Sequence, residues 1–116
     1  MPTLADIATE ALEVLGVLAE GQAASNEDES IAERMVTTVT EWLTATGAYT
    51  VIDTTDIAEA ARYPLALMVS ADLAPKYNSP APPAGYQSWL AVRADGLRRL
   101  QQLAPPRNDT PTAVYY

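Results

Sequence analysis

This chain of 116 residues contains no cysteine and no histidine, and Lys76 is its only lysine. Disulfides, zinc sites of the usual kind, thiol nucleophiles and imidazole general bases are therefore excluded. The missing cysteines rule out a disulfide scaffold and say little more about redox compartment. There is no glycine-rich phosphate loop and no Walker lysine. No apolar run reaches the roughly 18 residues that a membrane span needs. Basic residues are absent from the N-terminus, where Asp6, Glu10 and Glu13 come early, so no export signal is read there and a soluble protein without membrane contact is expected. Carboxylate pairs such as Asp53 and Asp56 serve better as helix caps than as an acid–base pair. Glu27-Asp28-Glu29 lacks the spaced oxygen ligands and turn glycine of a calcium loop and reads as a solvated helix start. The expectation is a protein without catalytic residues, metal or cofactor.

What is present is acidity, unevenly spread. The net charge is −8, with −11 in residues 1–60 and +3 in residues 61–116. Solubility is one consequence. Pairing of acidic and basic faces between neighbouring copies is another. Duplex DNA is a poor direct partner for the acidic half, whose charge would repel phosphates.

The longest apolar stretch runs from Asp56 to Asn78. Ile57, Ala60, Ala61, Leu65, Met68 and Ala71 recur at helical spacing, and Leu67, Val69 and Leu73 widen the stripe. A helix apolar most of the way round is a buried one. This is the expected central helix, opened by a capping-box-like pair, Asp56 with Glu59. Pro64 predicts a kink within it, the alternative being a separate turn before it. Pro75 ends it.

Before it, Thr3 with Asp6 predicts the start of a first helix from about Leu4 to Val14 or Leu15, its stripe Leu4, Ile7, Ala8, Ala11, Leu12 and Leu15 continuing in spacing to Leu18, with Gly16 closing it or permitting a tight approach. A coiled-coil seam is the alternative for this stripe, but the helix is too short to argue it. Ser25 or Asn26 caps a second helix with the stripe Ile31, Met35, Val39, Trp42 and Leu43, ending at Thr46-Gly47. Trp42 is taken as a core or interface anchor. Ala48 to Ile52 is β-branched and aromatic and predicts one short strand that lacks a partner. Asp53 to Asp56 is a polar turn.

After the central helix, Asn78 to Gly85 holds three prolines and reads as an extended linker. Tyr86 to Leu103 returns to helical spacing at Trp89, Val92 or Arg93, Gly96, Leu97, Leu100 and Leu103. Arg93, Arg98 and Arg99 give it a basic side. That side is a solvated or interface face, because single-stranded nucleic acid needs more interleaved aromatics than Trp89 alone. Residues 104–116 form an extended C-terminal tail, either an unstructured terminus or an edge strand for a partner. No repeat of fixed period is visible. The predicted fold is mainly α: one domain over residues 1–103, with a three-helix core and a fourth helix after the proline-rich linker, at most one minor strand, then the tail.

Two features together resemble a known family. One is Ala11-Leu12 through Leu15-Gly16-Val17 and Glu20-Gly21, an acidic gap, and a helix reaching Trp42 and Gly47. The other is the alanine- and leucine-rich helix ending Ala74-Pro75-Lys76-Tyr77-Asn78. In this order they are similar to the small head-to-tail connector, adaptor or head-completion proteins of tailed bacteriophages and gene transfer agents, over roughly residues 4–78. Family members usually end the second motif with an acidic residue and glycine, where this chain has Lys76 and Asn78. The resemblance implies a cofactor-free virion protein, made in the bacterial host cytoplasm. It would dock under the portal protein as a twelvefold homo-oligomeric ring, extend the DNA channel without sequence-specific binding, and hold tail or stopper proteins. The acidic residues would then let DNA slide by repulsion. Candidate interface residues are Arg93, Arg98, Arg99 and Arg107 as basic contacts and Tyr115 and Tyr116 as aromatic anchors, with residues 107–116 reaching the portal or an adjacent subunit. The competing expectation, motivated by residues 1–60, is a small acidic inhibitor or antitoxin-like protein that covers a basic partner surface.

Overall fold

Local signals start and stop the first two helices where they were expected. The computed structural model describes residues 2–18, 24–51 and 53–103. Helix α1 spans Leu4–Leu15. The Thr3 hydroxyl accepts from the Asp6 N–H, and the Asp6 carboxylate accepts from the Thr3 N–H at 2.9 Å, so two of the orphan donors of the first turn are satisfied. Gly16 closes the helix at φ 90°, a left-handed conformation that costs a glycine little. Helix α2 spans Asn26–Thr46, with the Ser25 hydroxyl accepting from the Asp28 N–H and Gly47 left-handed at its end.

The buried face of α2 is turned from the predicted stripe. Ala32, Val36, Val39, Thr40 and Leu43 are buried, whereas Ile31 and Met35 pack only at the margin and Trp42 is 41% exposed. Small and β-branched side chains lie deepest because they permit close helix approach. Thr40 is tolerated there because its hydroxyl donates to the Thr37 carbonyl at 3.0 Å.

Helix α3 spans Glu59–Leu73 and is followed by a 3₁₀ turn over Ala74–Tyr77. It begins three residues later than predicted. Asp56 and Glu59 form no capping box, and Ala58 stands at the N-cap position without a side-chain hydrogen bond. Asp56 is instead in the polar turn, where its N–H donates to the Asp53 carbonyl. The helix continues through Pro64 as one element. The residue deprived of its intrahelical donor is Ala60, which is exposed, so water can satisfy its carbonyl. From Pro64 to Ser70 every residue is buried. Ser70 is satisfied by donating to the Leu67 carbonyl at 2.9 Å.

No strand forms among the described residues. Residues 48–51 carry no regular secondary structure. Ala48, Tyr49 and Val51 rest partly buried against the core, and the Val51 N–H donates to the Thr44 hydroxyl. A strand needs a second strand for its ladder, and none is present among the described residues.

The fourth helix, α4, spans Trp89–Leu103. The Ser88 hydroxyl accepts from the Ala91 N–H at 3.2 Å, so the helix opens three residues after Tyr86. It lies along α3 with Val92, Gly96 and Leu100 buried. Gly96 is the point of closest approach. A Cβ placed there would meet the Pro64 carbonyl oxygen at 2.7 Å, Met68 Cγ at 2.9 Å and Leu67 Cβ at 3.2 Å. The pairs Arg93–Asp72, Gly96–Pro64 and Arg99–Tyr63 run in opposite senses along the two helices, so α3 and α4 are antiparallel. The proline-rich linker is fixed at its ends: Trp89 Nε1 donates to the Pro80 carbonyl at 2.5 Å and the Tyr86 hydroxyl to Asp95 at 2.6 Å. The fold is thus a mainly α arrangement in which α3 is central, α1 and α2 pack on it, and α4 covers its remaining side. No helix among the described residues is long and apolar enough to cross a membrane. The predicted tail, residues 104–116, lies outside the described residues.

Candidate interaction surfaces

The three arginines expected to make α4 a basic contact face are held by the chain itself. The Arg93 guanidinium pairs with Asp72 at 3.0 Å and lies 4.8 Å from the centre of the Trp42 ring, tying α4 to α3 and α2. Arg98 and Arg99 both donate to Asp95, Arg99 at 3.0 Å. Arg99 also sits 5.8 Å from the Tyr63 ring centre. Asp95 therefore accepts from Tyr86, Arg98 and Arg99, and these charge-assisted bonds hold its carboxyl down to about 2. The fourth paired base, Arg62, meets Glu10 at 2.6 Å, and that hydrogen bond raises its pKa. Arg34 and Lys76 are exposed and have no ion-pair partner among the described residues. Arg107, Tyr115 and Tyr116 lie outside the described residues.

Large apolar side chains are exposed near both ends of α4. Leu90 is 79% exposed and lies on the Arg93 flank, beside which Trp42 is stacked. Tyr63, beneath Arg99, and Leu103, the last residue of α4, are about two-fifths exposed towards the other end of the helix. Leu90 and Leu103 are roughly 20 Å apart along the helix axis. Sequence periodicity put Trp42 and Leu103 on expected stripes and left Tyr63 and Leu90 off them.

The end of α3 forms a third surface. The 3₁₀ turn Ala74–Tyr77 leaves Pro75 and Lys76 exposed, with Asn78 left-handed behind it. Tyr77 anchors the turn to the start of α2 by donating to Asp28 at 2.8 Å. Partial burial and this bond to a carboxylate push the phenol up to about 12.

A cleft of about 240 Å³ opens where the polar turn meets α3, lined by Tyr49, Thr50, Val51, Asp53, Asp56, Ile57 and Ala58. Its floor is apolar, with Ile57 buried, and its rim is acidic. Two backbone bonds fix the walls: the Leu4 N–H donates to the Thr54 carbonyl at 2.8 Å, and the Ile57 N–H to the Pro2 carbonyl at 2.9 Å. Asp53 Oδ1 accepts from both the N–H and the hydroxyl of Thr55, which lowers its pKa. The Asp56 carboxylate has no hydrogen bond or ion pair among the described residues. No group of three or more potential metal ligands converges among those residues either. Sequence patterning gave Asp53 and Asp56 to a turn and a cap. It could not place them beside Tyr49, which the fold brings to the same opening.

Comparison with protein-family models, with curated proteins and with solved structures returns no match.

Proposed function

We propose that this protein is a structural subunit of a head-to-tail connector in a tailed phage or phage-like particle. In this role it forms a ring beneath the portal, extends the DNA channel and carries tail or stopper proteins. The observation that carries the proposal is that the fold leaves two unlike apolar patches exposed towards the two ends of α4, Trp42 and Leu90 near its start and Tyr63 and Leu103 near its end. Two different patches that meet between copies make a heterologous contact. Such contacts generate a ring when the rotation closes. Contacts between copies run through these patches rather than through Arg93, Arg98 and Arg99, whose charges are already paired within the chain. The second resembling motif ends in the exposed Pro75-Lys76 turn, a protrusion suited to a further partner. The strongly acidic chain disfavours adhesion to DNA threading through the ring.

Native mass spectrometry of the protein, alone and with a portal protein from the same genome, tests the proposal. A ring, or loading of the portal at a fixed multiple, is the expected result. A monomer that ignores the portal would overturn it. Capture of a basic protein in a one-to-one complex would install the acidic inhibitor in its place.

A further inference from the structure

We propose that the cleft between Tyr49 and Ala58 is the seat of the chain's own segment Pro105-Pro106-Arg107, with the arginine held at Asp53 and Asp56. The docking is intramolecular and does not depend on whether copies assemble.

Reach comes first. The antiparallel pairing of α3 and α4, with Gly96 at Pro64 and Arg99 over Tyr63, puts Leu103 level with Glu59. Ala58, a wall of the cleft, is the next residue before Glu59. The chain therefore leaves α4 at the pole that holds the cleft. The four residues from Leu103 to Arg107 extend over roughly 13 Å, and tethering keeps the local concentration of the segment high.

Chemistry comes second. Consecutive prolines favour a polyproline helix, which is already extended and loses little entropy on docking. Such segments bind aromatic-lined grooves, and Tyr49, Val51 and Ile57 supply an apolar floor with one aromatic ring. A guanidinium is the natural partner for two carboxylates at a rim. Asp56 has no partner among the described residues, and Asp53 uses only one of its oxygens, for Thr55. On the other side, Arg62, Arg93, Arg98 and Arg99 are already paired. Arg34 lies midway along α2 and Lys76 lies beyond the far end of α3. Arg107, four residues beyond Leu103, is the remaining base tethered to this pole.

The absence of cysteine allows a clean test in the full chain. Asn108→Cys carrying a nitroxide label is compared with its reduced form by amide NMR. Tyr49, Thr50, Val51, Ile57 and Ala58 should lose the most intensity. Adding Arg107→Gln or Asp56→Asn should restore much of it, as should high salt. A second sample mixes isotope-labelled, spin-free protein with unlabelled, spin-labelled protein. It should show no loss at these residues. Loss only in the mixed sample would give the cleft to a second copy and overturn the proposal. Loss spread evenly, or centred elsewhere, would overturn it too, as would a pattern unmoved by Arg107→Gln. The portal-loading experiment on the unmodified chain is read separately, so either proposal can fail alone.

Discussion

Helix α2 carries its own capped start and glycine stop, whereas helix α3 has no side-chain cap at its start. Ser25 caps α2 and Gly47 ends it, three acids occupy its first turn, and much of its surface faces water. Helix α3 begins at an uncapped Ala58, contains Pro64, and has seven consecutive buried residues. Isolated, α3 would be a poor helix, since proline in a helix interior costs about 3 kcal/mol. In the fold it is the most enclosed element. The difference shows two routes to one secondary structure. α2 is favoured by its termini before it packs, whereas α3 is favoured by what surrounds it.

Substitutions can break this contrast. The largest loss should come from emptying the surroundings of α3. Leu67→Ala or Leu100→Ala removes a fully buried side chain and should cost about 2–5 kcal/mol in chemical denaturation. Overfilling comes next. Gly96→Ala gains helix propensity, but its Cβ would press on the Pro64 carbonyl, which cannot move without shifting α3. A net loss of about 1–3 kcal/mol is expected, and a stabilised variant would show that the α3–α4 seam is slack. Removing the α2 cap with Ser25→Ala should cost only about 1 kcal/mol. If that loss equalled the loss from Leu67→Ala, the contrast between the two helices would fail.

The smallest effect expected is electrostatic. Asp95 has a folded pKa of about 2, below its ordinary value of 3.8. Its ionised form is favoured by folding, so its contribution is present above pH 4 and disappears as pH falls towards 2. Asp95→Asn should flatten the stability profile in that window. Tyr77 works in the opposite direction. Its phenol is raised from 10.0 to about 12, so the bond to Asp28 contributes below pH 10 and is lost as pH rises through 12. Tyr77→Phe should remove that alkaline step and leave the acid one.

Much of the helical layout was legible in the chain. The Thr3–Asp6 box, Ser25, Gly16 and Gly47 act within a few residues of themselves, so sequence alone placed the ends of α1 and α2. The start of α3 was misplaced because Asp56 and Glu59 have capping chemistry but the turn takes Asp56 first. Residues 48–51 have strand propensity and no strand beside them. The surface was harder to read. Trp42 fits a core stripe equally well, and only packing decided that it is exposed under Arg93. The basic side of α4 was visible as Arg93, Arg98 and Arg99. Its neutralisation by Asp72 and Asp95 depended on geometry across helices and along α4.

The sequence by itself determined that this protein is mainly helical, acidic and without cysteine or histidine chemistry, and where two of its helices begin and end. Those properties follow from composition and from contacts three or four residues apart. Only the tertiary structure decided how α3 tolerates Pro64, that Gly96 is the closest contact of α4, and which charges remain unpaired at the surface. Each of these depends on side chains far apart in the chain, and no local pattern specifies how such residues meet.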